Sequence, residues 1–187
     1  GIDDKPTATR DEIADGLGRA GVRSGDVIYV HSSLSALGFV PGGAEEVIDA
    51  MVDAVGSAGH VIVPTHSSNL LKFAERNGPY DPANSPSKTG IITETLRRRP
   101  EAVRSAHPTH SVAELGPAAA AFAAGHDPDG DTLSITGPHG HLVRANAKIV
   151  FMGASMSSNT TFHTAENWLG HPYMPDRELI CLGPDGQ

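Results

Sequence analysis

The segment Asn159-Thr160-Thr161-Phe162-His163-Thr164-Ala165-Glu166 sets an imidazole and a carboxylate three residues apart. In a helix that spacing brings both to one face, and Asn159 to Thr161 supply side chains suited to capping its start. A carboxylate beside an imidazole favours the protonated ring and orients it. An ordinary histidine titrates near pH ~6.5, so such a ring can take a proton from an amine at neutrality. The same spacing equally describes a capped helix with a surface His–Glu pair.

Two further segments concentrate polar chemistry. Arg104-Ser105-Ala106-His107-Pro108-Thr109-His110-Ser111 holds two histidines three apart beside an arginine and two serines. His110 can act as base or substrate ligand and Arg104 as an anion clamp, and Pro108 fixes the turn. His31-Ser32-Ser33-Leu34-Ser35-Ala36-Leu37-Gly38 follows an apolar run, at the kind of strand end where α/β proteins bind ligands. Its hydroxyls and amides suit a phosphate, and they suit a plain strand-to-helix turn as well. It lacks the Gly-Lys-Ser/Thr of a nucleotide-binding loop and the glycine spacing of a dinucleotide site. Of the other histidines, His126 is read as ending an Ala-rich helix where a cation is welcome, and His139 and His141 as lying in a Gly/Pro-rich turn. His60, His66 and His171 are read as exposed or locally satisfied, and His31 as a strand-end residue.

The elements that must position these groups follow from periodicity. Thr9 to Ala20 reads as a helix with a capping box at Thr9 and Glu12. Asp26 to His31 and His60 to Pro64 read as buried strands on either side of a helix from Ala44 to Val55, a parallel βαβ unit. Ile91 to Arg99 reads as a short helix, Ser111 to Glu114 as a strand, and Pro117 to Ala124 as an Ala-rich helix opened by proline. Lys148 to Met152 reads as a third clear strand, a helix begins near Phe162, and Leu179 to Leu182 makes a fourth. Residues 66–89 form a long polar stretch of the kind that usually carries function.

Composition narrows the class. A 187-residue chain that is 39% hydrophobic but only 5% aromatic builds its core from Val, Ile, Leu and Ala, which suits an α/β domain. The net charge of −8, with no basic stripe, argues against nucleic acid as partner. The one basic cluster, Arg97 to Arg99, sits at a helix end. Cys181 is the only cysteine, so an internal disulfide and a cysteine-based zinc site are both excluded, in keeping with a reducing cytoplasm. No apolar run reaches the roughly 20 residues of a membrane span. The chain is expected to form a single α/β domain over residues 1–187 that lacks its C-terminal part.

In their order and spacing these segments resemble the aminoglycoside 3-N-acetyltransferase family from about Thr9 to Leu182. The resemblance is carried by residues 30–51 (VHSSLSALGFVPGGAEEVIDAM), 63–65 (VPT), 80–97 (YDPANSPSKTGIITETLR), 104–116 (RSAHPTHSVAELG), 137–142 (GPHGHL) and 149–168 (IVFMGASMSSNTTFHTAENW). It implies a three-layer α/β fold, with a mixed, largely parallel sheet between helices, and an acetyl-CoA-dependent transfer to the 3-amino group of a 2-deoxystreptamine antibiotic. It implies His163 as general base with Glu166 orienting it, CoA phosphates against Ser32, Ser33, Leu34 and Ser35, and pantetheine along His107, Pro108, Thr109, His110 and Ser111. Asp81 and Glu75, in the long polar stretch, are candidate ligands for a polycationic sugar. Some members carry an acid where this chain has Asn69. The reading needs no metal and allows a homodimer. Two alternatives stand beside it. One is a metal-dependent hydrolase, drawing on His163 and Glu166 with a third ligand from His110 or His141. The other is a CoA-binding relative without catalysis.

Overall fold

The computed structural model describes residues 6–67 and 79–171. The first helix, α1 (Arg10–Arg19), begins as its sequence directs. The Thr9 side chain accepts from the Glu12 amide while the Glu12 carboxylate accepts from the Thr9 amide at 2.9 Å, satisfying two helix-end donors reciprocally. Ile13 and Leu17 are its buried face. Strand β1 (Val27–Ser32) leads through a 3-10 turn at Leu34–Ala36 to helix α2 (Gly43–Val55). Gly42, at φ 84°, makes the left-handed entry to α2 that a larger residue would resist. Strand β2 (His60–Pro64) completes the βαβ unit.

After β2 come helix α3 (Ile91–Arg97), strands β3 (Val103–Arg104) and β4 (Val112–Leu115), helices α4 (Ala119–Ala123) and α5 (Pro138–Arg144), strand β5 (Lys148–Met152), a 3-10 turn at Met156–Ser158 and helix α6 (Thr160–Trp168). The sheet runs β3-β4-β2-β1-β5. β1 pairs in parallel with β2 and β5, whereas β4 pairs antiparallel with β2 and β3. The C-terminal ends of β1, β2 and β5 therefore share one edge with the N-terminal end of β4.

Alternation along the strands splits the core in two. Ile28, Val30, Val61 and Val63 pack with α1, α2 and α3 through Leu17, Val47, Met51 and Leu96. Tyr29, Ile62 and Val112 face the other way and pack with Leu142 of α5 and Phe122 of α4. The result is helices on both faces of a mixed sheet. At the far edge, His60 Nδ1 lies 2.6 Å from Glu114 Oε1, and Glu114 is fully buried. Burial raises the Glu114 carboxyl to about 8 and lowers the His60 ring, favouring the uncharged form of each.

Two departures from the sequence reading have physical causes. The Gly/Pro-rich segment of His139 and His141, expected as a turn, lies in α5, because Gly140 lets the helix sit against the chain before it: a Cβ at Gly140 would lie 1.8 Å from the Ile135 carbonyl oxygen. Arg104, expected in a loop, belongs to the edge strand β3, too short at two residues to show a period. The expected strand at Leu179–Leu182 with Cys181, and positions Asn69 and Glu75, lie outside the described residues. A Gly140→Ala substitution is expected to destabilise the fold by about 1–3 kcal/mol or more through overpacking. Gly18→Ala in α1, where nothing lies within 4 Å of the added methyl, should gain up to about 1 kcal/mol in helix propensity. Denaturant midpoints of the two variants measure both.

Candidate functional site

At the shared strand edge the chain forms two adjoining cavities. The larger, a groove of roughly 680 Å³, is lined by Ser32, Ser33, Leu34 and Ser35 on one side and by Lys88, Thr89, Gly90 and Ile91 on the other. Ser33 and Ser35 hydroxyls lie 3.2 Å apart, fixed by the 3-10 turn between β1 and α2. The smaller, of roughly 320 Å³, is lined by His31, His66, His110 and His163 with Pro64, Ala154 and the Ser157–Thr160 segment. Ser32 and Thr89 belong to both walls. Thr89 is held by donating its hydroxyl to the Pro64 carbonyl at 2.6 Å.

Helix α6 delivers the imidazole–carboxylate pair. The Asn159 side chain caps its start by accepting from the Thr161 amide, and Trp168 Nε1 donates to the Leu133 carbonyl at 2.9 Å, pinning its far end. His163 Nδ1 donates to Glu166 Oε2 at 2.7 Å. With that proton on Nδ1, the basic lone pair of the neutral ring sits on Nε2. The His163 side chain is about a third exposed, so a substrate can reach it.

Around it stands a wall of uncharged imidazoles. His31 and His110 are buried, and burial lowers them to about 4 and about 3. His66 is also held well below the usual range by burial and by the rings near it, the nearest being His110 at 4.6 Å between centroids. Behind the wall a second row fixes the first. His139 Nε2 donates to the His110 carbonyl at 3.3 Å, and Thr109 Oγ1 lies 3.0 Å from both His107 Nδ1 and His110 Nδ1. His126 Nε2 donates to the Thr132 carbonyl at 2.9 Å, so its Nδ1 accepts from Ser105. Among the described residues, His31 Nε2, His66 Nε2 and Ser32 Oγ are buried at this edge with no hydrogen-bond partner in the protein. Groups left so cost about 1–3 kcal/mol each and often mark a working site.

The structure sorts the expected site residues. Ser32 to Ser35 line the groove, and His110 and His163 share the smaller cavity. His107, Pro108, Thr109 and Ser111 are buried behind His110. Asp81 spends its carboxylate within its own turn, accepting from the Ala83 amide and from Asn84 Nδ2. Arg104 is no anion clamp: its guanidinium is committed to backbone carbonyls and buried hydroxyls. His126 is no surface cation but a buried neutral ring, lowered by burial. His141 donates to the Phe122 carbonyl at 2.8 Å, and among the described residues no three His, Cys, Asp or Glu side chains form a metal-holding group. Sequence reasoning missed His31 and His66 as cavity residues. Their signal was position, each lying where a buried parallel strand ends.

The layering, with helices on both faces of a mixed sheet and paired cavities at the strand edge, defines an α/β domain. The aminoglycoside 3-N-acetyltransferase family matches residues 29–187, and the chain belongs to that family. It is 34% identical to aminoglycoside N(3)-acetyltransferase IX of Micromonospora chalcea, over 84% of this chain and 61% of that protein. The chain thus spans about three fifths of the length of this relative. Among solved structures, AAC-IIIb in its binary complex with CoASH superposes with a TM-score of 0.83 at 28% identity, over 97% of this chain and 73% of that one. AAC-VIa bound to sisomicin superposes with a TM-score of 0.75 at 30% identity, over 86% of this chain and 65% of that one.

The uncharged rings make stability depend on acid. Unfolded histidines gain protons below about pH 6.5, whereas His31, His110 and His139 in the fold resist protonation to about 4 or below. Stability is therefore present in full above about pH 6.5 and is lost as pH falls through that window. Melting temperature should drop steadily from about pH 7 to about pH 4; a flat profile to about pH 5 contradicts the buried neutral wall.

Proposed function

We propose that the chain belongs to an enzyme that transfers an acetyl group from acetyl-CoA to the 3-amino group of a 2-deoxystreptamine aminoglycoside, and so confers resistance to the antibiotic. The observation that carries this reading is the joining of the two cavities. A groove with serine hydroxyls and the Lys88 ammonium suits the phosphates of a CoA chain. It opens beside a pocket whose wall holds His163 on Glu166. The CoASH complex of AAC-IIIb and the sisomicin complex of AAC-VIa support both substrates.

The chemistry needs one proton moved and one bond exchanged. His163 Nε2 takes a proton from the acceptor amine, directly or through water, as its nitrogen attacks the thioester carbonyl. Glu166 holds the ring by Nδ1 and stabilises the imidazolium that forms. The carbon–sulfur bond then breaks, and the CoA thiolate leaves and recovers the proton from the imidazolium. Neutral His31, His66 and His110 offer polar contacts without repelling a polycation. No step calls on a metal.

The alternative of a metal-dependent hydrolase draws no support from the arrangement of His110 and His141. Thiol release from acetyl-CoA, followed across a panel of aminoglycosides, tests the proposal. His163→Ala should lower turnover about 10²–10⁴-fold while CoA binding, read by calorimetry, stays near wild type. Intact protein that binds no CoA at micromolar concentration overturns the reading.

A further inference from the structure

Arg104 leaves β3 and enters the protein instead of solvent. Its Nη2 donates to the Thr65 carbonyl at 2.7 Å and to Ser67 Oγ at 3.2 Å. Its Nη1 donates to the carbonyls of Ser85 and Pro82. Its Nε lies 3.2 Å from both Thr65 Oγ1 and Ser111 Oγ. The Tyr80 ring sits 5.3 Å from the guanidinium carbon. Among the described residues no carboxylate makes an ion pair with it. A half-buried cation that gathers carbonyls from separate strands of chain acts as a cross-link, because each carbonyl released would leave both it and the charge poorly satisfied.

The chain segments it ties together are the ones that make the cavities. Thr65–Ser67 contains His66, a wall residue of the smaller cavity. Pro82–Ser85 leads directly to Lys88, Thr89 and Gly90, the far wall of the groove. The two segments are also joined to each other: the Lys88 amide donates to the His66 carbonyl at 2.8 Å, and Ser67 Oγ to the Pro86 carbonyl at 3.2 Å. Ser111, the third partner, follows His110 in the chain and accepts or donates at Thr65 Oγ1, 3.1 Å away. We infer that Arg104 is a positioning residue that fixes the partition between the groove and the histidine cavity, setting His66, Lys88 and Thr89 relative to one another without touching a substrate. Only a planar fork reaches all these acceptors together; an ammonium at the same place cannot.

The test is Arg104→Lys in the full-length protein, which keeps the charge and removes the fork. Its kinetic arm rests on the acetyltransferase reading; its exchange arm does not. Hydrogen exchange followed by mass spectrometry should show amides of residues 82–92 exchanging at least about tenfold faster than in wild type, with α1 and α2 unchanged. KM for acetyl-CoA and for the amine should both rise about tenfold or more. The pH dependence of kcat should stay in place, since His163 and Glu166 are untouched. Uniformly faster exchange across the fold, with wild-type KM values, assigns Arg104 to stability alone and overturns the inference. So does wild-type exchange over 82–92. If the wild-type protein acetylates no amine, the proposed function fails and the exchange result alone decides the role of Arg104.

Discussion

The period of two along a β-strand is the constraint on which the site depends. Tyr29 and His31 lie on one face of β1, and their rings meet edge to face with centroids 4.9 Å apart. On β2 the same face carries Ile62, and His66 follows two residues past the strand's last residue, Pro64. β4 runs the opposite way and opens on Val112 of that face, with His110 in the turn just before it. The strand order β4-β2-β1 then sets His110, His66 and His31 side by side. A slip of one residue in β1 would turn His31 into the other core, among Val30, Val63 and Met51. The parallel register of β1 on β2 and the antiparallel register of β4 on β2 are thus conditions of the cavity, as much as of the fold.

Burial then sets the charge state of this wall. An imidazole taken from water without a carboxylate beside it stays neutral, and His31, His66, His110 and His139 are lowered by burial before any other cause. His163 differs in kind. It comes from a helix on the far side of the cavity, remains partly exposed, and has the carboxylate of Glu166 at 2.7 Å. One cavity therefore holds a partly exposed ring paired with a carboxylate and buried neighbours that burial keeps neutral. In the proposed reaction that division matters: a row of imidazolium ions would repel a polycationic acceptor, whereas neutral rings would not.

What was legible in the sequence was local. The Thr9–Glu12 capping box, the apolar runs of β1 and β2, the helix between them and the His163–Glu166 spacing are each written within a few residues. What was not legible depends on contacts distant in the chain. Arg104 beside His107 and His110 looked like a ligand clamp because charge in a polar segment usually faces water. Its real partners, Thr65, Pro82 and Ser85, stand about 20 to 40 positions away in the sequence. His126 was read from the end of its Ala-rich stretch, yet its partners Ser105 and Thr132 come from other segments and take it inside. The Gly/Pro-rich segment of His139 and His141 read as a turn because proline and glycine are punctuation in sequence, whereas here proline opens a helix and glycine allows it to approach Ile135.

The same distance between local pattern and long-range contact explains why a short motif alone underdetermined the chemistry. A histidine three residues before a glutamate needs only a helix, and many helices offer one. Here helix α6 is fastened at both ends, by Asn159 at its cap and by Trp168 on the Leu133 carbonyl. Asn167 adds a bond to Asp131 at 2.7 Å. The Leu133 and Asp131 partners come from the segment between α4 and α5, which also supplies Thr132 to the histidine row behind the wall. One segment therefore braces the helix of His163 and Glu166 and the rings of His110 and His126. In the proposed function the pair draws on that shared support, because a general base there must face a cavity of fixed shape and charge, and neither α6 nor the strand ends could fix it alone.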